Sequence, residues 1–228
     1  MEMQILTPDQ IEQFLVDGYI LVSDLIPEEI AARADEAAFR CNGFDPDDPD
    51  TWKVEPGMTE YFYEPELLAV YTQELLTVAA QLTSDDPYIF PAACPDNKAF
   101  VIKLLPEPGP WQVRNRHLDG SGENVYHSVH RSPWRAFALI YLHDIEPHGG
   151  GTVLFPRSHH KMRALARSQP DKYRWISQLH NEIENMDLGD HVEVEPKAGD
   201  VLFIHSLMVH CKPMNTGSRP RFALNMKW

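Results

Sequence analysis

The chain has no run of eighteen apolar residues, which excludes a hydrophobic membrane-spanning helix. Its opening, Met1-Glu2-Met3-Gln4, has neither a basic start nor an apolar stretch. No secretory signal is therefore expected, and the cytoplasm is the expected location. Cysteine is scarce. Cys41, Cys94 and Cys211 are scattered and form no CxxC pair, so no disulfide framework is expected, which fits a reducing compartment. Positive charge is in deficit as well: 20 Lys and Arg stand against 34 Asp and Glu, a net charge of -14. That balance repels phosphate backbones and argues against a nucleic-acid partner.

The 228 residues are 43% hydrophobic and 24% charged, enough for one sizeable core, and a single domain over 1–228 is expected. Thr7-Pro8-Asp9-Gln10 is a capping box with proline at the first helical position. Ile11, Phe14 and Leu15 continue it as an apolar stripe to Gly18, and Tyr19 to Val22 reads as a strand. A second helix opens at Pro27-Glu28-Glu29 and runs to about Phe39, followed by a loop over 42–58. Leu68, Tyr71, Leu75, Val78 and Leu82, at steps of three and four, predict one further helix.

From about residue 87 the texture becomes β-rich. Short runs at Phe100–Leu105, Ala136–Leu142, Thr152–Phe155, Val192–Val194, Val201–His205 and Phe222–Met226 are separated by turn residues, with a helical insert over 160–186. The expected architecture is mainly β with flanking helices, a helical part over 7–85 and a jelly-roll core over about 87–228, which β-propensity alone does not distinguish from another sandwich or barrel.

Eleven histidines make any one of them a weak signal. His117-Leu118-Asp119 is stronger, because residues i and i+2 of an extended backbone point to the same side and can reach one ion. His210, far downstream, supplies a second imidazole. Two imidazoles and one carboxylate cap one face of iron(II) and leave the other open, although the same donors also suit zinc. His205 competes for the third place. It lies five residues earlier, so it cannot share a face of one unbroken strand with His210, and it reads as a core residue or as one that supports the ligands from behind. Arg221 offers a bidentate cation for an anionic co-substrate, with Arg219 as its rival in Ser218-Arg219-Pro220-Arg221.

These segments together resemble the phytanoyl-CoA dioxygenase family of iron(II)/2-oxoglutarate oxygenases. The opening Leu6-Thr7-Pro8-Asp9-Gln10 through Asp17-Gly18-Tyr19 is similar to the family's first helix and strand. His117-Leu118-Asp119 matches its HxD motif, and Gly150 to His159 its glycine-led strand ending in Pro-Gly-Ser-His. Gly199 to Phe203, His210, Asn215 and Arg221 match its closing motif.

The resemblance implies a double-stranded β-helix (jelly-roll, cupin-like) core. It implies His117, Asp119 and His210 as Fe(II) ligands, and Arg221 as the partner of the distal carboxylate of 2-oxoglutarate. Tyr141 and Thr152 lie on strands that either line that pocket or simply pack. The reaction implied consumes O2, releases succinate and CO2, and hydroxylates an aliphatic carbon. Asp119 stands where related halogenases have a small residue, which favours hydroxylation. Two segments depart from the family pattern: Cys211-Lys212 replaces Gly-Ser after the last histidine, and Arg157 replaces the glycine of Pro-Gly-Ser-His.

The polar segment from Gly120 to Pro133 leaves directly from the HxD motif and is expected to overhang the site. Arg131 and His130 within it, with Trp111 upstream, are the candidate substrate contacts. They suggest a small, anionic metabolite or natural-product intermediate. The competing reading is a non-catalytic or zinc-bound jelly-roll binding protein, for which Arg221 would have no use.

Overall fold

The computed structural model describes residues 5–54, 60–83, 98–121 and 135–228. Arg131, His130 and most of the Gly120–Pro133 segment lie outside the described residues, as does Cys94. The first helix, α1 (Pro8–Asp17), begins on the expected capping box: Thr7 Oγ1 accepts from Gln10 N, and the Gln10 side chain accepts from Thr7 N. Gly18 ends it in the left-handed region at φ 86°. Strand β1 (Tyr19–Val22) and helix α2 (Glu28–Cys41) follow. A two-residue strand, β2 (Tyr61–Phe62), has no counterpart in the sequence reading.

The single helix predicted from Leu68 to Leu82 is instead two: α3 (Pro65–Leu68) and α4 (Gln73–Thr83). The chain turns between them, and Thr72 Oγ1 accepts from Leu75 N at the start of α4. The three-four apolar spacing survives across the break because both segments bury residues against one surface. Spacing alone cannot register the interruption.

The β elements are β3 (Ala99–Leu104), β4 (Ala136–Tyr141), β5 (Val153–Leu154), β6 (Val192–Glu193), β7 (Val201–His205), β8 (His210–Cys211) and β9 (Arg221–Lys227). Helices α5 (Ser158–Ser168) and α6 (Ile176–His180) fill the insert between β5 and β6. Six strands form one sheet in the order β1-β7-β4-β9-β3-β2, and three form a second in the order β6-β5-β8. Among the described residues every strand pair is antiparallel. This is a jelly roll, mainly β with flanking helices.

Alternation along the strands sorts side chains into three cores. Phe203, Phe222, Leu224 and Met226 point outward and are covered by Phe14, Ala34, Ala38, Phe39, Leu75 and Val78 of the amino-terminal helices. Phe137, Leu139, Tyr141, Ile102, Leu202, Ile204 and Ala223 point inward, between the two sheets. Val153, Cys211 and Val209 face the far side of the small sheet and pack under Met162, Ala166, Ile176 and Leu179. The large sheet is thus buried on both faces, which is why β4 and β7 read as unbroken apolar runs.

The amino-terminal helix is tied to the insert end to end. His159 Nε2 donates to Leu15 O at 3.1 Å, His160 Nε2 to Val16 O at 3.0 Å, and Arg157 N to Asp17 O at 2.9 Å. The free carbonyls of the α1 carboxy terminus are thereby satisfied by groups at the amino end of α5. Arg157 adopts φ 66°, a conformation that glycine takes without strain. An ion pair from its Nε to Asp17 Oδ1 at 3.1 Å offsets part of that cost. No helix among the described residues is long and apolar enough to cross a membrane.

Candidate metal and co-substrate site

The site begins with a backbone pairing. His117 N donates to His210 O at 2.9 Å and His210 N to His117 O at 3.1 Å. This isolated antiparallel bridge sets two histidines directly opposite each other at the edge of the small sheet. Their ring centroids are 4.4 Å apart. Each ring is oriented through Nδ1: His117 Nδ1 donates to Asn115 O at 2.7 Å, and His210 Nδ1 donates to Met208 O at 3.0 Å. Those contacts fix the tautomers and leave both Nε2 lone pairs available.

Asp119 completes the group. Its Oδ1 lies 3.4 Å from His210 Nε2 and 3.6 Å from His117 Nε2. One donor atom from each of His117, Asp119 and His210 falls within 4.8 Å of the others. Among the described residues this is the only group of three or more such side chains. Burial works against the Asp119 carboxylate charge, but its close contacts with His117 and His210, with the Lys227 charge, hold its pKa well below the usual value. Burial lowers the pKa of His210, and the neighbouring His117 adds to that. An ionised carboxylate beside a neutral imidazole is the protonation state a divalent metal requires.

Arg221, the first residue of β9, faces inward and is 1% exposed. Its Nε donates to Gly150 O at 2.9 Å, while Nη1 is buried without a hydrogen-bond partner. No carboxylate among the described residues pairs with it, and burial lowers its pKa. A buried guanidinium with an idle donor fits an absent anion. Tyr141 and Thr152 are bonded to each other, Oη to Oγ1 at 2.7 Å, on the same inward face. The Tyr141 phenol has its pKa raised by burial and feels the Arg221 charge. Asn215 holds the approach to β9: its Nδ2 donates to Leu104 O and Arg219 O, both at 2.9 Å, and its Oδ1 accepts from Gly217 N.

The rival residues Arg219 and His205 sit elsewhere. Arg219 donates to Asp35 Oδ2 at 2.6 Å and stacks over Phe39 at 5.2 Å, outside the barrel. His205 ends β7 on the outward face. Leu207 N donates to its Nδ1 at 3.0 Å, and its ring lies 6.4 Å from that of Phe14. Trp111 stacks on His148 at 4.6 Å and packs with the cluster under α5 and α6.

Two lysines near the triad are given no role by the sequence pattern. Lys227 Nζ lies 3.1 Å from Asp119 Oδ2. Lys212 is exposed, yet its surroundings strip enough water to lower its pKa, and the Arg221 charge adds to the shift while Asp119 opposes it. Lys212 therefore stands within electrostatic reach of both the triad and Arg221. The replacement of Ser by Lys in the closing motif is the one hint the sequence offered.

Comparison with known proteins agrees with this geometry. A search of curated proteins finds no match. Among solved structures, the α-ketoglutarate-dependent carbocyclase SnoK from nogalamycin biosynthesis superposes with TM-score 0.61 at 18% identity, covering 97% of this chain and 83% of that one. EctD from S. alaskensis, solved with 2-oxoglutarate and 5-hydroxyectoine, gives TM-score 0.61 at 20% identity over 96% of this chain and 74% of its own. AviO1 from Streptomyces viridochromogenes Tue57 gives 0.55 at 19%, covering 98% and 94%. These likenesses define the fold as that of the non-haem jelly-roll oxygenases. Residues 108–223, half of the chain, match the family model for phytanoyl-CoA dioxygenase. The chain belongs to the phytanoyl-CoA dioxygenase family, whose enzymes use Fe(II), 2-oxoglutarate and O2.

Proposed function

We propose that this protein is an Fe(II)- and 2-oxoglutarate-dependent hydroxylase of an aliphatic carbon in a small, anionic metabolite or natural-product intermediate. The observation that carries the reading is Arg221, a buried guanidinium with an idle Nη1, set in the same barrel as a two-histidine, one-carboxylate cluster. Two imidazole nitrogens and one carboxylate oxygen suit Fe(II) and do not saturate it. His117, Asp119 and His210 would hold the metal, and Arg221 the distal carboxylate of 2-oxoglutarate. Bound there with O2, they supply oxidative decarboxylation to succinate and CO2 and an oxidant able to attack an unactivated C–H bond.

The chain's own residues orient and shield. The backbone bridge between His117 and His210 fixes the two imidazoles before any ligand arrives. Tyr141 and Thr152 present a hydroxyl pair beside Arg221 for a carboxylate oxygen. Phe137, its ring 4.9 Å from that of His210, keeps the inner wall apolar and dry. With an iron dication and a 2-oxoglutarate dianion in place, Asp119 and Arg221 balance each other. Lys212 then adds positive charge to the mouth of an otherwise acidic protein. That favours an anionic substrate, and Arg131 or His130 would reinforce the preference.

The test is an anaerobic titration with Fe(II) and 2-oxoglutarate, followed by a succinate-release screen across anionic and neutral metabolites. A visible metal-to-ligand charge-transfer band and succinate formation are expected, with anions stimulating turnover best. A protein that takes zinc and shows neither band nor succinate would be the binding protein instead.

A further inference from the structure

The inward row of β9 reads Arg221, Ala223, Asn225 and Lys227, because side chains alternate faces along a strand. Arg221 stands at one end and Lys227 at the other. Lys227 pairs in register with Phe137, whose ring lies against His210, so the strand itself delivers the ammonium to the triad. The result is an unequal carboxylate. Asp119 Oδ1 faces both Nε2 atoms at 3.4 and 3.6 Å, while Oδ2 is held by Lys227 Nζ at 3.1 Å.

We propose that Lys227 is a positioning residue that keeps Asp119 a one-oxygen ligand, so that the metal keeps the coordination places its co-substrate needs. The inference rests on the Fe(II)/2-oxoglutarate reading above. A carboxylate can bind a metal through one oxygen or two. The torsion that selects between them is soft. With Lys227 bonded to Oδ2, only Oδ1 can turn to an ion between the histidines. Without it, Asp119 can rotate until both oxygens face the ion and take up one more place. The ammonium also repels a dication, so its removal does not loosen the metal. It costs the co-substrate a place instead.

The experiment compares the parent protein with Lys227→Met and Lys227→Arg, and adds Lys227→Gln should the methionine variant fail to fold. Fe(II) affinity is read by anaerobic calorimetry. 2-Oxoglutarate affinity is read from the visible band of the Fe(II)-loaded protein. Lys227→Met is expected to bind Fe(II) as tightly as the parent or more so, and to need about tenfold more 2-oxoglutarate for half the band. Lys227→Arg, which keeps a cationic donor, is expected to recover most of that loss. Unchanged 2-oxoglutarate affinity in Lys227→Met overturns the inference, as does loss of Fe(II). An effect confined to the substrate KM also overturns it, because Lys227 would then be a substrate contact. If the parent itself gives no band, the oxygenase reading fails and this inference falls with it.

Discussion

A single substitution reads differently depending on which face of its strand it occupies. His117→Ala, Asp119→Ala and His210→Ala each remove one of three clustered donors, and each is expected to lose bound iron while the fold persists. His205→Ala lies on the outward face and is expected to keep its iron and lose stability instead. Elemental analysis of purified variants separates the two groups, and iron loss in His205→Ala with retention in His210→Ala would reverse them. Arg221→Ala is expected to weaken 2-oxoglutarate binding by about 2–5 kcal/mol, the loss for a buried charge-assisted contact. Arg219→Ala, partly exposed and paired with Asp35, should cost that binding no more than about 1 kcal/mol. Titration of the charge-transfer band would show it. The clustering of His117 with Asp119 is legible from a two-residue step in sequence. The contact of Lys227 with Asp119 is not, because sheet register makes it across more than a hundred residues and no local pattern encodes it.

Among the elements, capped helices and long apolar strands are legible, and short connecting pieces are not. The α1 capping box and the apolar runs of β4 and β7 carry strong local signals. β2 and β8 are two residues each, and partners distant in sequence define them, so propensity cannot find them. The docking of α1 on α5 was equally hidden, and it yields two expectations. A Cβ at Gly18 would come 2.4 Å from His159 Nδ1 at a φ of +86°, so Gly18→Ala should destabilise the fold by more than about 1 kcal/mol. Chemical denaturation measures it. The second concerns pH. Burial drives the pKa of His159 down to about 4 and that of His205 to about 3, and neighbouring cations assist. Both are neutral in the fold, whereas the unfolded chain takes up protons below about pH 6.5. Stability is therefore full above pH 6.5 and falls as pH drops through 5 toward 3, by roughly 1.4 kcal/mol per unit for each histidine. Melting curves from pH 7 to pH 5 should show the decline, and a flat profile would refute it.

On the scale of the whole molecule, the layers run helices, large sheet, interior, small sheet, helices, and Arg221 lies in the interior layer. The acidic exterior and the interior that holds Arg221 are separated by two apolar cores, which keeps Arg221 from being neutralised by the surface carboxylates that outnumber it. The order of strands in the large sheet has a consequence for synthesis. β9 comes last in sequence yet lies between β4 and β3, in the middle of the sheet. Until it leaves the ribosome, the strands made earlier have open edges where their neighbour belongs, and such edges invite pairing with other chains. A ribosome that stalls before Arg221 releases a polypeptide that carries His117, Asp119 and His210 but lacks its central strand. The cell would meet that product as an aggregation hazard, not as a weak enzyme.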